Sequence, residues 1–173
     1  MHLDEALQGH LVAAIVEVLL IDAGYQVIPT GIERSIRELR AVDVELYRAL
    51  AHPRLRSAPD FFVLDLDARQ GVLTEIKFRH YIHPLLVDDL RPIHRDWSPL
   101  VLILAVAAPP QEWTGLIRHI RAFQIGADTA LDLHFLNTAG HRIQDVFPRL
   151  GVRWHDDTIL KAQDAILRIT SRD

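Results

Sequence analysis

The sequence predicts a three-layer α/β fold, with a mixed central β-sheet flanked by helices, and three observations carry that expectation. Segments with helical apolar spacing alternate with strand-like segments along the chain. The stretch from Asp60 to Phe78 reads as two strands joined by a short polar turn. Residues 99–106 (PLVLILAV) are almost wholly apolar, the signature of a strand covered on both faces. At 173 residues, 49% hydrophobic and 24% charged, with no repeat or linker, the chain is expected to form a single domain spanning 1–173.

From Leu3 to Ala23, apolar residues at 3, 7, 11, 15, 18 and 19 predict a helix, and Gly24 stops it. Tyr25 to Pro29 reads as a short strand. Gly31 to Leu50 then carries Ile32, Leu39, Val42, Leu46 and Leu50 at helical spacing, so residues 31–57 form a helical insertion before the next strand. Asp60–Leu66 and Gly71–Phe78 pair as a hairpin around the turn Asp67-Ala68-Arg69-Gln70. Pro84–Trp97 is expected to be helical, Pro99–Val106 a central parallel strand, Trp113–Phe123 a helix and Leu131–Leu136 a strand. Ile143–Leu150 and Thr158–Ile169 complete the chain as helices.

Several classes are disfavoured. No apolar run approaches the roughly 20 residues of a membrane span. The start Met1-His2-Leu3-Asp4-Glu5 is acidic where a secretory signal would be basic, and the chain has no cysteine. A cytoplasmic location is therefore expected. With 19 basic against 23 acidic residues the net charge is -4, so any nucleic-acid contact must come from local patches.

The chemistry-bearing residues cluster on the expected hairpin. Pro59-Asp60 opens its first strand and Glu75-Ile76-Lys77 lies near the end of the second. With Leu66 and Gly71 flanking the loop, Asp60 falls opposite Lys77 and Phe62 opposite Glu75, so Asp60, Glu75 and Lys77 project from one face. Glu17 is the one charged residue between Leu11 and Ile21, among small and apolar helical neighbours. Its carboxylate needs a neutralising partner. Three carboxylates and one ammonium leave a charge of about -2, and their hard oxygens suit Mg2+ or Mn2+.

This pattern resembles the PD-(D/E)xK nuclease superfamily, which shares the restriction-endonuclease-like fold. The similarity rests on Glu17, Pro59-Asp60 and Glu75-Ile76-Lys77 and spans roughly Leu3 to Leu136. It implies a Mg2+- or Mn2+-dependent nuclease hydrolysing phosphodiester bonds, most simply in DNA. In that reading Asp60, Glu75 and the Ile76 carbonyl hold the metal, Lys77 orients or activates the attacking water, and Glu17 supports metal or water. The short chain resembles the compact Holliday-junction-resolvase-like members, which implies a homodimer. Candidate substrate contacts are Arg34, Arg37, Arg40 and Arg48 on the insertion, diluted by Glu33, Glu38, Asp43 and Glu45, together with Arg79 and Tyr81 beyond Lys77. The insertion departs from the simplest members of the superfamily. Two alternatives stay open: a catalytically silent nucleic-acid-binding or interaction module on the same fold, or a nuclease subunit of a larger defence or repair complex.

Overall fold

The computed structural model describes residues 3–30, 54, 57–153 and 156–170. The insertion expected at 31–57, and with it Arg34, Arg37, Arg40 and Arg48, lies outside the described residues except for Arg54 and Ser57. In chain order the elements are α1 (Leu3–Asp22), β1 (Gln26–Pro29), β2 (Phe61–Asp65), β3 (Gln70–Arg79), α2 (Pro84–Trp97), β4 (Leu100–Val106), β5 (Ile120–Ile125), α3 (Leu133–Thr138), α4 (Ile143–Val146), α5 (Pro148–Arg153) and α6 (Asp156–Thr170). Among the described residues the sheet has five strands in the order β1-β2-β3-β4-β5. Only β3 and β4 run parallel; the other neighbours are antiparallel. No helix among the described residues is long and apolar enough to cross a membrane.

The alternation of β4 divides the interior. Val101, Ile103 and Ala105 face a core built from Val12, Val16, Leu19 and Leu20 of α1, Ile143 of α4, Leu150 of α5 and Ile159 and Ile166 of α6. Leu100, Leu102, Leu104 and Val106 face a second core with Leu86, Val87, Leu90 and Ile93 of α2, Leu136 of α3 and Trp113. Helices thus cover both faces, and the three-layer α/β architecture follows. Each helix start or stop has a local cause. Gly24, at φ 90°, closes α1 with Tyr25 N–H on Leu20 O and Gly24 N–H on Ile21 O, the paired bonds of a glycine C-cap. The His83 ring caps α2 by accepting from Leu85 N–H, and Pro84 follows where a missing N–H costs nothing.

Three expectations are corrected. The expected helix over Trp113–Phe123 is an irregular segment followed by strand β5. The open edge of the apolar β4 needs a ladder partner, and β5 supplies it while placing Ile120 and Ala122 on one core and Phe123 and Ile125 on the other. Arg121, buried in that strand, donates to the carbonyls of Ile117 and Thr114 and stacks over Trp113 at 5.8 Å, pinning the irregular segment. The expected strand over Leu131–Leu136 is helix α3, because Asp132 Oδ1 accepts from Phe135 N–H at 2.7 Å and caps it. The helix expected over Ile143–Leu150 is split at Phe147, whose ring packs edge-on against Tyr25.

The hairpin turn is Leu66–Arg69, one residue earlier than expected, so Phe61 pairs with Thr74 and Leu64 with Gly71. Asp65 sets the start: its Oδ1 accepts from Ala68 N–H at 3.0 Å, and Arg69 takes a left-handed φ of 53° to close the loop. The register moves by two residues, which preserves the side-chain faces. Arg149 of α5 clamps this turn by pairing with Asp65 and Asp67 while its guanidinium lies 5.6 Å from the centre of the Tyr25 ring. Because Ile103 is fully buried at the centre of the sheet, Ile103→Ala should cost about 2–5 kcal/mol of stability in denaturant unfolding.

Candidate active site

Asp60 sits immediately before β2, and main-chain bonds fix it there. Thr30, just past β1, donates its N–H to Asp60 O at 3.0 Å and its hydroxyl to Pro59 O. The β2–β3 ladder ends at the pair Phe61 and Thr74, which leaves the amide of Ile76 facing the β2 side without a strand partner. Asp60 takes the place of that partner: its Oδ2 accepts from Ile76 N–H at 2.8 Å. Because the N–H and C=O of one strand residue point the same way, the Ile76 carbonyl turns toward the same opening.

Glu75 and Lys77 flank Ile76 on the face of β3 that looks toward α2, next to Leu102 and Leu104 of β4. Glu75 is only 3% exposed, and its Oε1 pairs with Lys77 Nζ. Burial pushes the Glu75 carboxyl up to about 7; Lys77 works against that shift and the Asp60 charge adds to it. Burial alone would lower the Lys77 ammonium, but Glu75 and Asp60 outweigh it, so its pKa is raised. The lysine keeps about a quarter of its side chain exposed, at 26%.

Arg79 continues the same row and donates to Asp89 Oδ2 of α2 at 2.6 Å and to Phe78 O at 2.8 Å. Tyr81 is exposed, its ring edge-on to His83 at 5.9 Å. Expected hairpin partners also change: Phe62 faces Leu73 rather than Glu75, and extending the register sets Asp60 across from Glu75 instead of Lys77. The two acids come closer together as a result.

Glu17 forms no metal-holding group with Asp60 and Glu75 among the described residues. α1 packs on the sheet face that carries Ile76 and Phe78, whereas Glu75 and Lys77 point to the other face. Among the described residues no three His, Asp or Glu side chains converge closely enough to hold a metal ion together. The acidic pair Asp60 and Glu75, with the Ile76 carbonyl, is therefore the donor set to weigh. Two hard carboxylates and a main-chain oxygen suit Mg2+ or Mn2+, which keep several waters and need few protein ligands. The raised pKa of Glu75 adds a physical reason, since a cation would relieve the cost of the buried charge.

No family model, curated protein or solved structure matches the chain. The site therefore stands on its own geometry. Sequence reasoning missed Thr30 as the clamp on Asp60 and Asp89 as the partner of Arg79. Thr30 carries a faint signal, a hydrogen-bonding residue just past a strand that pairs alongside Pro59-Asp60. The Arg79 and Asp89 contact depends on how α2 crosses β3, which no local pattern encodes.

The Glu75 shift fixes a sign. Between about pH 4.5 and pH 7 the folded state holds a proton on Glu75 that the unfolded chain has released, so this group's contribution to stability falls as pH rises through that window. Glu75→Gln should remove that fall. Urea unfolding of both proteins from pH 5 to pH 8 should show the variant gaining relative to the wild type, by up to about 3 kcal/mol at the alkaline end.

Proposed function

We propose that this chain is a metal-dependent nuclease that hydrolyses phosphodiester bonds in DNA, working in the cytoplasm. The observation that carries the reading is the Ile76 N–H to Asp60 carboxylate bond, which gathers Asp60, Glu75 and Lys77 where the β2–β3 ladder opens. The resemblance of Pro59-Asp60 and Glu75-Ile76-Lys77 to PD-(D/E)xK nucleases supports the choice of substrate class.

In this reading Asp60, Glu75 and the Ile76 carbonyl hold Mg2+ or Mn2+, which supplies positive charge toward the phosphate and makes water more acidic. The chain's own residues do the rest. Thr30 and the Ile76 amide keep Asp60 fixed, so no side-chain ordering is needed when substrate arrives. Lys77, with its raised pKa, stays protonated at neutral pH and acts as a donor: it orients the attacking water or binds the charge developing on phosphate oxygen. It does not serve as the base. Arg79 lies along the same row as a further cation toward the phosphate backbone, restrained by Asp89. Glu17 is left out of the set because it joins no group of three acids among the described residues.

Purified protein incubated with supercoiled, linear and single-stranded DNA should cleave in Mg2+ or Mn2+ and stop in EDTA. Lys77→Met, which keeps most of the stem and removes the charge, should retain fold and metal-induced stabilisation while single-turnover cleavage falls about 10²-fold or more. Mn2+ at 100 times its dissociation constant should stabilise the wild type by about 2.7 kcal/mol and leave Asp60→Asn unmoved. A wild type that cuts no nucleic acid with any metal would defeat the proposal.

A further inference from the structure

Asp60 lies one residue outside β2, so strand pairing does not dictate where its carboxylate sits. From the β1 side, Thr30 holds the carbonyls of Pro59 and Asp60. A second anchor reaches the same stretch of chain from the last turn of α2. Trp97 Nε1–H donates to Arg54 O and to Ser57 Oγ, each at 3.3 Å. The Ser57 hydroxyl lies 3.2 Å from both Asp96 Oδ2 and Arg54 O, and it has a single hydrogen to give. Asp96 is the stronger acceptor, because hydrogen bonds from Arg95 hold its carboxyl below the usual range and keep it ionised, so the hydroxyl donates there. The anchor is itself fixed. Trp97 packs against the α2-side core, and Asp96 leaves only 7% of its side chain exposed.

We propose that Trp97 and Asp96 are positioning residues for Asp60, acting through Ser57. Only Ala58 and Pro59 stand between Ser57 and Asp60. The Pro59 ring fixes its own φ, and a residue before proline is confined to extended backbone, so this short link transmits a displacement instead of absorbing it. With Ser57 tied to α2 and the next carbonyls tied to Thr30, the Asp60 carboxylate is held on the Ile76 amide from two directions. Freed at Ser57, the link keeps Thr30 alone, and the carboxylate swings away from that amide and from Glu75. The positioning stands on these hydrogen bonds; its bearing on metal and cleavage rests on the nuclease reading.

Amide exchange in the isotope-labelled full chain, without metal or DNA, tests the proposal. Ser57→Ala removes the hydroxyl, Asp96→Ala removes its acceptor, and Trp97→Phe keeps the packing while removing the N–H. Each should speed exchange of the Ile76 amide about 3- to 10-fold, the scale of one lost hydrogen bond, and leave the Leu102 and Leu104 amides of β4 unmoved. Ser57→Thr, which keeps the hydroxyl, should exchange as the wild type does. Calorimetry should show Mn2+ affinity falling by a similar factor in Ser57→Ala at an unchanged melting temperature, and recovering in Ser57→Thr.

An Ile76 amide that keeps its wild-type rate in all three variants overturns the proposal. So does an equal rise at Ile76, Leu102 and Leu104, which marks lost stability of the whole fold. A Mn2+ affinity indifferent to Ser57→Ala also overturns it as a positioning role. If Ile76 responds but the wild type takes up no Mn2+, the anchor on Asp60 stands and the nuclease reading falls. If the wild type binds Mn2+ and cuts DNA while Ile76 ignores every variant, the reverse holds.

Discussion

A strand amide left without a strand partner is the constraint on which the site depends. Pairing between β2 and β3 stops at Phe61 and Thr74, two residues before Ile76. A buried N–H without an acceptor is costly, and the Asp60 carboxylate supplies the acceptor. One hydrogen bond therefore closes the hairpin and sets an acid beside Glu75. The second acid is buried on β3 beside Leu102 of β4 and relies on Lys77 for compensation. Loss of the Asp60 acceptor would loosen the same backbone that aims Glu75 and Lys77, so hairpin and site are one arrangement.

The strict alternation of β3 and β4 does the remaining placement. On β3, Ile76 and Phe78 are committed to the core under α1, which leaves Glu75, Lys77 and Arg79 to the α2 side. The sheet therefore separates the reactive row from the first helix. It also gives α1 its double character: the side facing Ile76 and Phe78 is consumed by the core, while the other side keeps a second apolar row in solvent.

Much of this was readable in the residues, and the exceptions share a cause. The hairpin, the buried strand β4 and helices α1, α2 and α6 follow from spacing, because each is long and its burial pattern is regular. The clustering of Asp60, Glu75 and Lys77 survives a two-residue register shift because a shift of two leaves every side chain on its face. Reading failed where tertiary demand overrode local spacing. Trp113, Leu116, Ile117 and Ile120 have helical separations, yet the edge of β4 required a strand, and a buried arginine that bonds loop carbonyls looks polar from sequence alone. Leu131 to Leu136 alternates like a strand, and one aspartate side chain turned it into a helix. Glu17 stands out on its helix because of its apolar neighbours. Those neighbours report the helix's own packing and say nothing of which sheet face it covers.

The two ends of the β2–β3 hairpin show how one element carries both scaffold and chemistry. At the turn, hydrogen bonds from Arg149 hold the Asp65 carboxyl below its usual range. That acid is ionised at any ordinary pH and stabilises the turn as a permanent ion-pair partner. At the other end, Glu75 is driven the opposite way because burial outweighs its lysine. An acid whose ionisation is opposed by its surroundings contributes little to holding a hairpin together when charged. Its place is better explained by what it can do, because perturbation by burial together with a specific charged neighbour is how reactive carboxyls are set apart from structural ones. The same hairpin thus sorts its acids by solvent. Carboxylates at the turn are matched by an arginine, and the carboxylate at the open end of the ladder keeps an unmet demand for positive charge, which Lys77 alone does not satisfy.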